Sequence, residues 1–147
     1  MALNNPYAAY QNTAVKTASQ GKLVVMLYET AIKHLSAATK CFDAGSGKVP
    51  PGSIEEYSNH IMKAQEVINE LQVSLDMDKG GQIAQNLMSL YVYFNRELMD
   101  ANIAKDKKKL EFVLNMLSQL LEAWQVASNS TANAPAANVS PTLNING

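Results

Sequence analysis

Seven apolar side chains, Ile54, Tyr57, Ile61, Ala64, Ile68, Leu71 and Leu75, follow one another at alternating steps of three and four residues. On a helix those steps keep every side chain on one stripe, and such a stripe is stable only when other helices cover it. This seam predicts a helix from about Ser53 to Asp76. Ser53-Ile54-Glu55-Glu56 has the spacing of a capping box at its start. Asp78-Lys79-Gly80-Gly81 breaks it.

Three further segments carry the helical period. From about Ser19 to Asp43, Leu23, Leu27, Ala31, His34, Leu35, Ala38 and Phe42 share a face, with Ser19 as candidate N-cap. Gly45, Gly47, Pro50 and Pro51 end that segment in a loop. From about Gln82 to Ile103 the seam is Ile83, Leu87, Leu90, Phe94, Leu98 and Ala101. From about Asp106 to Val126 it is Leu110, Val113, Leu114, Leu117, Leu121 and Trp124, with Asp106 as cap. The last two connections are short, so neighbouring helices are expected to run antiparallel. The expected fold is all-α: an antiparallel up-down four-helix bundle over residues 19–127. No segment alternates with period two, so no sheet is expected.

The flanks differ in composition. Between Met1 and Ala18 the one charged side chain is Lys16, while Tyr7 and Tyr10 supply aromatic surface. Residues 1–18 are therefore expected to dock on the bundle. Residues 128–147 carry no charge and are rich in Asn, Ser, Thr, Ala and Pro. They are expected to be a disordered tail, having too little apolar surface to offset the entropy of ordering.

Charge excludes several functions. Twelve Lys and Arg face 13 Asp and Glu, so no basic field exists to hold nucleic acid or an anionic membrane. No apolar run is long enough to span a bilayer, and no secretory signal is evident. A single cysteine, Cys41, excludes an internal disulfide framework. Together these features point to a soluble, reducing compartment.

No catalytic constellation is found. His34 and His60 lie on separate helices, and neither follows a Glu by three residues as a di-metal bundle requires. Cys41 has no partner histidine suggested by spacing, which favours an inert thiol. Gly80-Gly81 lacks the surrounding phosphate-loop pattern and reads as a turn. Lys107-Lys108-Lys109 reads as a solvated face. Neither an enzyme nor a cofactor or metal site is expected.

The chain has more apolar side chains than four seams need. Val25, Tyr28 and Ile32 form a second face on the first helix. Met62 and Val73 lie off the seam of the second, Met88, Val92 and Met99 opposite the seam of the third, and Phe112 and Met116 off that of the fourth. A wider core or a covering N-terminal segment accounts for some. The remainder would be exposed, as at a partner site, and methionine suits grooves that accept amphipathic helices.

Asn5-Pro-Tyr-Ala-Ala-Tyr10, Val15-Lys-Thr-Ala-Ser19 and Leu23-Val-Val-Met-Leu-Tyr28 resemble the flagellar secretion chaperone family FliS. So do Leu75-Asp-Met-Asp-Lys-Gly-Gly-Gln-Ile-Ala-Gln-Asn-Leu87, Leu90-Tyr-Val-Tyr-Phe94 and Glu122-Ala-Trp124. The junction around Gly80-Gly81 is the most specific part. Gln20 stands where the family commonly has proline. The resemblance covers about residues 5–126.

The resemblance implies a cytoplasmic export chaperone that binds the disordered C-terminal segment of flagellin, one to one. It would prevent premature polymerisation and deliver the subunit to the membrane-embedded export gate of the flagellar type III system. Parts of the family also bind an anti-sigma factor or another flagellar regulator. Client contact is expected at Met62, Val67, Val73, Ile83, Asn86, Leu87, Leu90 and Tyr93. Several of these fit a pure core role as well, Leu87 and Leu90 better than they fit the surface, and Asn86 matches the family's Asn in the junction. Tyr7 and Tyr10 are expected to mark the N-terminal arm, with a part in export-gate docking. The alternative is a structural bundle that self-associates through the same faces, without a flagellin client.

Overall fold

The computed structural model describes residues 20–132. Four α-helices occupy them: α1 (Gln20–Thr39), α2 (Ile54–Ser74), α3 (Gly81–Ala104) and α4 (Lys107–Ala132). A short 3-10 turn, Pro51–Ser53, precedes α2, and no strand occurs among the described residues. Helix α1 packs against α2 and α4, and α3 packs against the same two. The result is a closed ring of four helices, with α1 and α3 on one diagonal.

The seams explain the core. Tyr57, Ile61, Ala64, Ile68 and Leu71 of α2 are fully buried. They meet Leu27, Ala31, Leu35 and Ala38 of α1, Phe94, Leu98 and Ala101 of α3, and Leu110, Val113 and Leu117 of α4 in one continuous cluster. On α3 the buried stripe also takes in Ala84 and Tyr91, while Ile83 and Leu90 are only partly buried. The stripe keeps Leu87, Phe94, Leu98 and Ala101 of the expected seam and puts Ala84 and Tyr91 in place of Ile83 and Leu90. The second face expected on α1 is also corrected. Tyr28 is fully buried, and its hydroxyl lies 2.6 Å from that of Tyr91. Phenol oxygens paired in this way can enter a core that would otherwise reject them.

Partners across the border of α2 and α3 run in opposite numerical order. From α2 to α3, the Tyr57 hydroxyl donates to Ala101 O at 2.7 Å and Asn102 donates to Ser58 Oγ at 3.1 Å. Further along, Gln65 donates to Asn95 O at 3.2 Å, Asn95 donates to Asn69 Oδ1 at 2.9 Å, and Gln72 donates to the Met88 sulfur at 3.4 Å. As numbers rise along α2 they fall along α3.

The helix ends show which local signals act. Asp106 caps α4, its Oδ1 accepting the backbone N–H of Lys108 at 3.0 Å and of Lys109 at 3.3 Å. The capping box at Ser53 does not form. Ser53 occupies the N-cap position, but its side chain makes no cap bond, and its N–H is held by Pro50 O at 2.9 Å. The preceding prolines wind a 3-10 turn that supplies the entry instead. Helix α1 stops at Thr39, short of Asp43, yet Cys41 and Phe42 in the following turn still pack into the core. Gly81 opens α3 at φ +59, a conformation that costs glycine little. Helix α4 continues to Ala132, past the expected tail boundary at 128. Neither Gly nor Pro interrupts the sequence between Trp124 and Ala134, so the helix has no breaker at 128. Ser19, the arm 1–18 and residues 133–147 lie outside the described residues.

Candidate client groove

Between α3 and α4 lies a cleft of about 430 Å³ lined by Asn86, Leu87, Ser89, Leu90, Tyr93 and Leu120. Its position follows from α3's rotation: Ala84, Tyr91 and Phe94 point to the core, which leaves Asn86, Leu90 and Tyr93 along the α4 border. Tyr93 extends the apolar wall by meeting Phe112 edge-on, with ring centroids 6.1 Å apart. Both rings are large, exposed aromatics. Asn86 supplies a polar rim, its Oδ1 accepting from Gln82 at 2.9 Å. Beyond Phe112 the border turns ionic. Lys109 Nζ sits 3.1 Å from Asp100 Oδ2 and 3.9 Å from Glu97 Oε2. The hydrogen bond to Asp100, above all, raises the Lys109 pKa. Apolar side chains at one end and paired charges at the other give the cleft a direction.

The eight residues expected to touch a client do not form one patch. Asn86, Leu90 and Tyr93 line the cleft, and Ile83 lies partly buried one turn before Leu87 on the same helix. Leu87 forms its floor at 2% exposure. Met62 and Val73 are on α2, at 47% and 78% exposure. They adjoin Gln65 and Gln72, whose bonds hold the opposite flank of α3. Val67 is 3% exposed and belongs to the core cluster. It is covered because α2 is flanked by α1 on one side and α3 on the other, so its buried arc exceeds a two-residue seam. Val67 therefore has no free surface to offer. Tyr7 and Tyr10 lie outside the described residues.

Helix α4 contributes residues that the sequence did not single out for client contact. Leu120 lines the cleft and Phe112 walls it. Phe112 stands off the α4 seam, which is visible in sequence. Its meeting with Tyr93 depends on helix pairing, which is not. Val92 and Met99 are exposed, as their off-seam positions suggested, whereas Val25, Ile32, Met88 and Met116 are half-buried.

Burial, then Glu56, push the Cys41 thiol up, away from a reactive thiolate. Its Sγ contacts Ala37 O at 3.6 Å. No group of three or more metal-ligating side chains occurs among the described residues. None of their helices is long and apolar enough to cross a membrane.

Residues 3–131 match the family described as flagellar protein FliS. The chain belongs to the FliS family. Curated relatives agree in length and name. A flagellar secretion chaperone FliS of Bacillus subtilis is 31% identical over 130 residues, covering 88% of this chain and 91% of that one. The FliS of Salmonella typhimurium is 35% identical over 117 residues, 79% of this chain and 82% of the relative. A FliSB of Pseudomonas aeruginosa is 29% identical over 115 residues, 78% and 86% of the two chains. FliS proteins are chaperones, and this chain is not an enzyme. The matched span includes the arm with Tyr7 and Tyr10, and it ends one residue before α4 does.

Proposed function

We propose that this FliS-family chain is a cytoplasmic export chaperone. It binds the disordered C-terminal segment of flagellin one to one, prevents its premature polymerisation and presents it to the flagellar type III export gate. The observation that carries the proposal is the apolar cleft between α3 and α4. A flagellin terminus polymerises by burying an apolar face, so a chaperone must offer apolar surface on its own outside. Leu90, Tyr93, Phe112 and Leu120 supply that surface, and Asn86 offers an amide to client backbone. Ordering a disordered segment is costly, so the contact must be long. A client that leaves the cleft and wraps the antiparallel bundle meets Ile83 on α3, then Met62 and Val73 on the far flank. The arm bearing Tyr7 and Tyr10 serves docking at the gate.

Calorimetric titration with the flagellin C-terminal segment of the same organism tests this. Tight one-to-one binding with a large negative heat-capacity change is the expected result. No heat at two temperatures, from a folded chain, would remove the client. The exposed apolar residues Met62, Val73, Val92 and Met99 would then favour self-association, which light scattering reads as a stable dimer.

A further inference from the structure

His34 on α1 and His60 on α2 face one another, with their Nδ1 atoms 3.1 Å apart. Their ring centroids are 5.4 Å apart. The second distance exceeds the first by about two imidazole radii, so the nitrogens lie on the line between the ring centres. This head-on geometry selects the occupant. A tetrahedral ion, at about 2.0–2.1 Å from each imidazole nitrogen, takes two nitrogens whose lone pairs converge on it at an angle. Here the nitrogens point straight at one another, the approach of a hydrogen bond. A neutral imidazole has one N–H and one lone pair, so one ring donates and the other accepts.

We propose that His34 and His60 form a proton-gated clasp between α1 and α2, closed when the pair carries no extra proton or one, and opened by a second. With one extra proton, one ring carries N–H at both nitrogens, and its Nδ1–H donates to the Nδ1 lone pair of the other. That bond is charge-assisted and stronger than the neutral one. A second proton has one site left between the rings, that same accepting Nδ1, where it would confront the facing N–H. Glu56 Oε2 lies 3.8 Å from the far nitrogen of His60, Nε2. Burial first, then His60, Lys63 of α2 and Lys33 of α1, hold the His34 pKa below its ordinary value. Among the described residues, no charge of α4, the other helix packed on α1, is a named cause of that shift. The opened clasp loosens α1 from α2, while the cleft between α3 and α4 lies elsewhere in the ring.

Nitrogen-detected magnetic resonance of the full chain, titrated from neutral to acid pH, tests the clasp. A scalar coupling between the two Nδ1 atoms is expected at neutral pH and after the first protonation. The second proton should bind at least about tenfold more weakly than the first, and the coupling should vanish with it. In His60→Gln, the remaining His34 should titrate in a single step. Two histidines that titrate independently, without coupling, would overturn the proposal. So would stoichiometric Zn²⁺ binding that shifts both rings. Should His60→Gln fail to fold, the titration of the unaltered chain decides alone.

Discussion

The hydroxyls of Tyr28 and Tyr91 meet at 2.6 Å between two helices that lie diagonally across the bundle. The buried indole of Trp124, on α4, tempers the rise of the Tyr28 pKa. Three helices thus converge on one buried point. Replacing Tyr91 by Phe leaves Tyr28 short of that partner and should cost about 1–3 kcal/mol. The double change to Phe should cost clearly less than the two single changes summed. Denaturant unfolding of the four proteins measures this, and strict additivity would show the two hydroxyls to be independent.

Alkali should act on Tyr28 and on Tyr57. Burial raises Tyr28 from 10.0 to about 12, and burial with Asp106 and Cys41 raises Tyr57 to about 12. A raised folded-state value means that the folded chain keeps protons the unfolded chain would release. The resulting stability is full below pH 10 and is lost as pH climbs from 10 to about 12. Tyrosinate absorbance should lag the exposed phenols and then rise together with loss of helicity. Ionisation of every tyrosine near pH 10 in a still-folded chain would contradict it.

Asp106→Ala removes the acceptor that holds two backbone N–H groups at the start of α4. A loss of about 1 kcal/mol is expected, read as a lower unfolding midpoint with an unchanged slope. Ser53→Ala is the matched contrast. Its side chain makes no cap bond, so its unfolding midpoint should stay within experimental error.

In the groove, exposure separates binding from folding. Tyr93→Glu places a charge on the apolar wall and should weaken flagellin-segment binding by about 30-fold or more, with helicity retained. Met62→Glu and Val73→Glu, on the far flank, should weaken it by about fivefold or less. Leu87→Ala should instead destabilise the chain by about 2–5 kcal/mol, because that side chain is the floor of the cleft. Equal effects of Tyr93→Glu and Met62→Glu would move the main contact away from α3 and α4.

These contrasts mark what the sequence makes legible. Steps of three and four along Tyr57 to Leu71 revealed α2 and its buried side because burial of a stripe is a local, periodic property, although Ile54, at the head of the seam, is 42% exposed. Asp106 was legible as a cap for the same reason. Tyr28 was misplaced because its entry into the core depends on Tyr91, 63 residues away. Val67 was misplaced because the width of a buried arc depends on how many helices flank it. Phe112 and Leu120 stand on the cleft through the rotation of α4 against α3, and His34 meets His60 through the register of α1 against α2. Neither rotation nor register leaves a mark on a single chain's periodicity.

The bonds from Tyr57, Ser58, Gln65, Asn69 and Gln72 to α3 work together as a vernier. Sliding α3 by one turn, about 5.4 Å, would misalign every one of them at once, so α2 and α3 behave as a single rigid half. The border of α3 with α4 is held chiefly by apolar contact and by ion pairs at one end. The bundle thus pairs a border fixed in register by directional bonds with one whose apolar contacts set no register of their own.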